Sequence, residues 1–223
     1  MENENKDRRM GITIAIAVFV ALIVDGMDLQ MLSLSLPLLQ KDFGINKILA
    51  GALGTYTLFG MGVGGLIAGW FSDRIGRVKV TIASIITFSV MTAVLGFTQN
   101  YFQFAVIRFL SGVGIAALYS IGTMLVAEYV PTNRRTTILG MLQAGWSVGY
   151  ILAALMSSYI LPHWGWRPMF IMSIIPVIVS IWLMRNVKEP SSYVASRKST
   201  EGKKISIWNE ILSDRTNRKY FIL

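Results

Sequence analysis

The chain of 223 residues has no cysteine and a single histidine, His163. Disulfides and thiolate metal sites are therefore excluded, and a zinc site or a Ser-His or Cys-His relay would have to be built around one imidazole. Charge is scarce too: 15% of the residues are charged against 53% apolar, far from the balance of a water-soluble domain. The apolar residues stand in long blocks parted by short polar joints, which is the pattern of a polytopic membrane protein. A formal charge of +9 would suit a nucleic-acid binder, but the basic residues fall on the joints, where they act as a topology signal, and no nucleic-acid partner is expected.

Crossing about 30 Å of hydrocarbon takes about 20 apolar residues. Six segments qualify: Gly11 to Leu39, Ile48 to Ser72, Val80 to Thr98, Phe102 to Val130, Thr137 to Leu161, and Trp166 to Asn186. The polar start, Met1 to Arg9, and a first apolar run too long for a signal peptide argue for a retained span. Lys6, Arg8, Arg9, Arg74, Arg77, Lys79, Arg134, Arg135 and the basic stretch from Arg185 share one side, against Lys41, Lys47 and Arg167 on the other. Such a bias places the amino terminus in the cytoplasm of a cell (plasma or inner) membrane.

Residues 1–188 thus read as a six-span bundle and 189–219 as a cytoplasmic basic linker. In the linker, Ser206 is placed to cap an interfacial helix carrying Ile207, Trp208, Ile211 and Leu212 on one face. Residues 220–223, Tyr-Phe-Ile-Leu, read as the opening of a truncated seventh span.

Ionisable groups inside the bilayer mark function, because a charge at a helix centre costs about 2.5 to 3.5 kcal/mol on insertion scales. Asp25 and Asp28 lie one turn apart near the middle of the first span and are expected to face a cavity. Close carboxylates in a poorly solvated place repel, which makes the pair a candidate proton carrier; the bland alternative is helix packing with Gly26 as a kink. Arg108, about two turns below the outer end of the fourth span, lies at a depth comparable with Asp28. It is suited to hold a carboxylate ionised or to bind an anionic substrate through its planar fork.

Glycines recur at helix-packing spacing: Gly60, Gly64, Gly65 and Gly69 in the second span, Gly112 with Ala116 in the fourth, and Gly145 and Gly149 with Ala153 in the fifth. Tyr159, Trp164 and Trp166 are expected to form an interfacial aromatic belt.

Between the second and third spans runs Gly69-Trp70-Phe71-Ser72-Asp73-Arg74-Ile75-Gly76-Arg77-Val78-Lys79. Asp73 is placed to accept backbone N–H groups at a helix start, and Arg74 to pair with Glu128 at the end of the fourth span. The run resembles the hallmark loop of the major facilitator superfamily, Gly-x-x-x-Asp-Arg-x-Gly-x followed by two basic residues, with Val78 as its one departure. Arg108-Phe109-Leu110-Ser111-Gly112, Glu128-Tyr129-Val130-Pro131 with Arg134 and Arg135, and Gly165-Trp166-Arg167 before Phe170 are similar to further motifs of that superfamily.

The resemblance implies an all-α fold of six transmembrane helices arranged as two inverted three-helix repeats, the amino-terminal half of a twelve-span transporter. Spans one and four would then line the cavity, and Gly69, Asp73, Arg74, Gly76, Arg77, Glu128 and Arg134 would form a conformational latch. Asp25-Gly26-Met27-Asp28 resembles the Asp-Gly-x-Asp signature of proton symporters for aromatic acids. Gly145-Trp146-Ser147-Val148-Gly149-Tyr150 looks like the sialate and monocarboxylate groups. The implied function is proton-coupled symport of a small organic acid by alternating access. It would require no cofactor beyond the coupling proton, and its partners would be the lipid bilayer, an anionic substrate, and a carboxy-terminal half or second chain. Rival readings are a sugar or polyol porter and a truncated, non-transporting fragment. An intramembrane aspartyl protease is disfavoured, because both aspartates share one helix.

Overall fold

The computed structural model describes residues 2–174 together with 177, 178, 181, 182, 185, 187 and 189; side-chain detail starts at residue 10. The contacts divide the chain after Pro190, and the expected linker beyond its first residue, Glu189, its interfacial helix and the expected seventh span lie outside the described residues. The helices are α1 (Glu2–Phe43), α2 (Lys47–Ile75), α3 (Arg77–Leu95), α4 (Tyr101–Ala117), α5 (Thr123–Tyr129), α6 (Thr132–Trp164) and α7 (Arg167–Met172). Among the described residues there is no strand, and five helical stretches are long and apolar enough to cross a membrane, where the sequence predicts six. The sixth begins with α7 and is described only in part beyond it.

Three of the boundaries have local causes. Asn46 and Asn100 are N-caps whose side chains accept from the N–H groups of Leu49 and Gln103, each at 2.9 Å. Gly44, at φ 63°, ends α1 in the left-handed region, as a Gly after a helix commonly does. The first helix differs from expectation by starting at Glu2, because its polar residues continue the same backbone hydrogen bonding. The fourth span differs in being interrupted: a π-helical segment, Leu118–Gly122, separates α4 from α5.

Packing follows a two-fold plan. The first span, α1, lies along α6, and α4 lies along both α2 and α3. Exchanging spans one with four and two with five turns the α1–α6 pair into the α4–α2 pair, as inverted three-helix repeats require. The correspondence reaches single contacts. A Cβ on Gly26 would press on the Trp146 carbonyl across α6, and one on Gly112 would press on the Thr57 carbonyl across α2. Gly149 meets the Ile23 carbonyl as Gly60 meets that of Phe109. In lipid, where burial of apolar surface gives no drive between helices, this close backbone approach supplies the contact. Gly26 is therefore a packing residue in an unbroken helix and not a kink. Gly65 and Gly69 are corrected as well: a side chain at either would meet nothing within 4 Å.

Each repeat is also tied at the end of its first span. Glu128, at the end of α5, forms an ion pair with Arg77, the first residue of α3. Asp42, at the end of α1, pairs with Arg167, the first residue of α7, at 3.0 Å and accepts the Trp166 indole N–H at 2.9 Å. Arg167 also donates to the Thr98 carbonyl at 3.3 Å. Trp166 is consequently not part of an interfacial belt. It is buried against Phe43, Phe104 and Phe170 in edge-to-face contacts, while Tyr159 and Trp164 remain exposed.

The start of α3 carries a cap that comes from far along the chain. The Glu189 carboxylate accepts the N–H groups of Val78 and Lys79 at 3.1 and 3.2 Å. An anion there answers the unpaired donors and the positive end of the helix dipole. Gly76 turns the backbone between α2 and α3 at φ 118°, and the carboxylate rests where a Cβ would stand. Val78 is buried in the apolar cluster with Ile14, Val18 and Leu125, which is why an apolar residue stands where the superfamily loop is usually basic.

Two outcomes are expected from thermal unfolding of the purified protein in detergent. Gly149→Ala lowers stability by about 1–3 kcal/mol through overpacking, whereas Gly62→Ala, in open space on α2, is neutral or stabilising by up to about 1 kcal/mol. Glu189→Ala costs about 1 kcal/mol by loss of the cap, and Glu189→Gln, which keeps an acceptor oxygen, costs less.

Candidate functional site

The ionisable residues of the spans converge. Asp28 and Arg108 are both without accessible surface, and Arg108 Nη1 donates to Asp28 Oδ2, joining the first span to the fourth. The guanidinium lies over the rings of Phe104 at 5.7 Å and Phe170 at 5.2 Å, distances at which the ring faces attract a cation. Its Nε and Nη2, and the Oδ1 of Asp28, are buried with no hydrogen-bond partner. A buried guanidinium with spare donors is a receptor for a planar oxyanion. Arg108 does not turn outward to the surface, as a long basic side chain near a helix end can do.

Asp25 has a different partner. Although one turn from Asp28 and equally buried, it accepts the Trp146 indole N–H on Oδ2 at 2.7 Å, and its Oδ1 is unpartnered. The two aspartates therefore do not form a simple pair. One is held by a cation from α4, the other by a neutral donor from α6.

Around them lies an exposed polar and aromatic face that the sequence reading missed. Gln143, Trp146 and Tyr150 stand at one helical face of α6. The Trp146 and Tyr150 rings stack at 5.8 Å, and the Gln143 amide donates to the Tyr119 hydroxyl of the π segment at 2.7 Å. A glutamine in the middle of an apolar span was the available signal, since such a residue faces a cavity or a neighbouring helix and not lipid. Apolar clusters close both ends of this polar layer: Leu22, Leu125 and Leu142 belong to one, and Met31, Leu53 and Phe104 to the other.

At the loop between α2 and α3 the structure corrects two expectations. Asp73 caps no helix start; it is an exposed residue of the last turn of α2, and Glu189 takes the capping role. Arg74 does not meet Glu128 but lies over the Trp70 ring at 3.9 Å, one turn back on its own helix, and Arg77 makes the ion pair instead. Arg134 is exposed on the rim of a cavity of about 890 Å³ lined by Gly11, Phe19, Tyr129 and Leu142. Among the described residues no three His, Asp or Glu side chains come together as a metal site.

The family model described as Major Facilitator Superfamily matches residues 18–223. The chain is 46% identical to the cis,cis-muconate transport protein of Acinetobacter baylyi, covering 92% of this chain and 51% of that protein. It is 35% identical to the benzoate transport protein of the same organism, over 81% of this chain and 40% of that one. The chain thus spans about half the length of the curated relatives it matches. Among solved structures, the proton:xylose symporter XylE superposes with a TM-score of 0.76 at 21% identity, covering 95% of this chain and 52% of that one. Matched by the family model from residue 18 onward, and folded as the helical bundle of a solved member, this chain belongs to the Major Facilitator Superfamily.

Proposed function

We propose that the chain is the amino-terminal half of a proton-coupled symporter for small organic acids working by alternating access. The observation that carries this reading is the fully buried Arg108–Asp28 pair joining spans one and four. While Asp28 is ionised it holds Arg108; a proton on Asp28 cancels that attraction and frees the guanidinium for a substrate carboxylate. Proton and anion then favour each other's binding, as symport requires. The muconate and benzoate transport proteins among the relatives support a carboxylate as the substrate. The bundle would rock against a second, carboxy-terminal half about the site, with the Arg77–Glu128 end facing the cytoplasm of a cell membrane, the side on which the basic residues accumulate.

Uptake of labelled cis,cis-muconate by cells expressing the full-length gene product tests the reading. Uptake is expected to be saturable and to collapse with a protonophore, and Asp28→Asn is expected to weaken the response to pH. Arg108→Lys keeps the charge but loses the fork, and should lower kcat/KM by about 10- to 100-fold, equivalent to about 1.5–3 kcal/mol. Arg108→Ala strands the Asp28 carboxylate and should destabilise the protein by about 3–5 kcal/mol. Uptake by Asp28→Asn that kept the proton dependence would refute the role given to that residue.

The absence of cysteine from these 223 residues suits them to mapping of orientation by introduced cysteines, any others in the full-length protein being replaced first. A single cysteine at Gln99, in an exposed loop, should react with an impermeant maleimide in intact cells, whereas one at Asn133 should react only after lysis.

A further inference from the structure

We propose that Trp146 is a positioning residue that links occupation of the exposed aromatic face by substrate to the proton on Asp25. The inference rests on the symport reading above and adds to it a second, separate control over the other aspartate.

Two features of Trp146 belong to different tasks. Its N–H reaches a carboxylate that is almost wholly buried, while the residue as a whole is 37% exposed and its ring is stacked on Tyr150. A tryptophan serving only to fill space between helices would bury the ring, and one at a membrane interface would turn its N–H to water. Here the geometry is set by a close approach of α1 and α6, because Gly26, the residue after Asp25, lies against the Trp146 backbone. The backbone cannot retreat without opening that contact, so the indole can leave Asp25 only by turning about its own side-chain bonds.

The indole N–H is a donor and never an acceptor. It therefore favours the ionised form of Asp25 and offers nothing to the hydroxyl of a protonated acid. The other charged or titratable groups nearby are Asp28, one turn along α1; Arg108 from α4, already engaged by Asp28; and, on α6, Tyr150 behind the indole. A planar unsaturated substrate settling on the Trp146–Tyr150 face competes for the same ring. Each turn of the indole toward the substrate withdraws the donor from Asp25, so substrate and proton promote one another's binding. The preferred cargo is then a flat, conjugated carboxylate: its carboxylate on Arg108, its plane on the indole.

The test compares wild type, Trp146→Phe, Trp146→Ala and Asp25→Asn in the full-length protein. In purified protein without substrate, indole emission titrates with pH if Trp146 senses Asp25. That component should be present in wild type and absent from both Trp146→Phe and Asp25→Asn. In uptake of cis,cis-muconate, Trp146→Phe retains a ring but no N–H, so its pH profile should move by about one unit, more than its KM changes, and Trp146→Ala should raise KM about tenfold or more. A saturated carboxylate of similar size should be insensitive to the Ala variant. A titrating component that survives in Trp146→Phe or Asp25→Asn, or that is missing from wild type, overturns the inference, as does a pH profile unchanged in Trp146→Phe. Wild type that transports no carboxylate would refute the symport reading instead, and the emission titration would still decide the link between Trp146 and Asp25.

Discussion

Arg108 has no accessible surface in the middle of a span, and a guanidinium cannot discharge itself by losing a proton. Its neutralisation has to come from across the bundle, so the first and fourth spans must hold their mutual position closely enough for Asp28 to reach it. Leaving either charge unpaired in such a place costs several kcal/mol, more than most single helix contacts provide. The glycine approaches of α1 on α6 and of α4 on α2, and the rings of Phe104 and Phe170 about the guanidinium, are the scaffolding that this one ion pair demands.

The scaffolding is built twice from one plan. Gly26 on Trp146 answers to Gly112 on Thr57, and Gly149 on Ile23 to Gly60 on Phe109. Asp42 with Arg167 answers to Glu128 with Arg77. Where the two copies differ, chemistry enters. The second-span position matched to Trp146 is Thr57, whose hydroxyl turns back onto the Leu53 carbonyl of its own helix, whereas the Trp146 indole crosses to Asp25. Likewise, among the described residues, only one of the two clamps carries a distant carboxylate, Glu189, on the adjoining helix start.

Much of this was legible in the sequence, for identifiable reasons. Hydropathy alone placed the spans because a bilayer allows few alternatives to a long helix. Asp25, Asp28 and Arg108 stood out because charge in hydrocarbon has to be explained. Partner choice was less legible. Arg74 and Arg77 are equally basic, and only the turn at Gly76 decides that one folds back on Trp70 while the other meets Glu128. Trp166 next to an exposed Trp164 gives no compositional hint that one ring is core and the other is not. The cap from Glu189 joins residues more than a hundred positions apart, and no local propensity reports it. The π segment, Leu118–Gly122, leaves no periodic trace in the sequence.

The paired clamps at the two ends of the bundle carry a mechanical meaning. The Asp42–Arg167 clamp alone is modest, since that pair is well exposed to solvent. Together the two clamps fix the ends of spans one and four to the beginnings of spans six and three, while the irregular backbone sits between them at Leu118–Gly122. Span four is thus pinned at its carboxy-terminal tip and interrupted a few residues before it, whereas span one is pinned at its tip and unbroken. A push on the tip of span one is carried along its length as by a stiff lever, whereas a push on the tip of span four is taken up as bending at Leu118–Gly122.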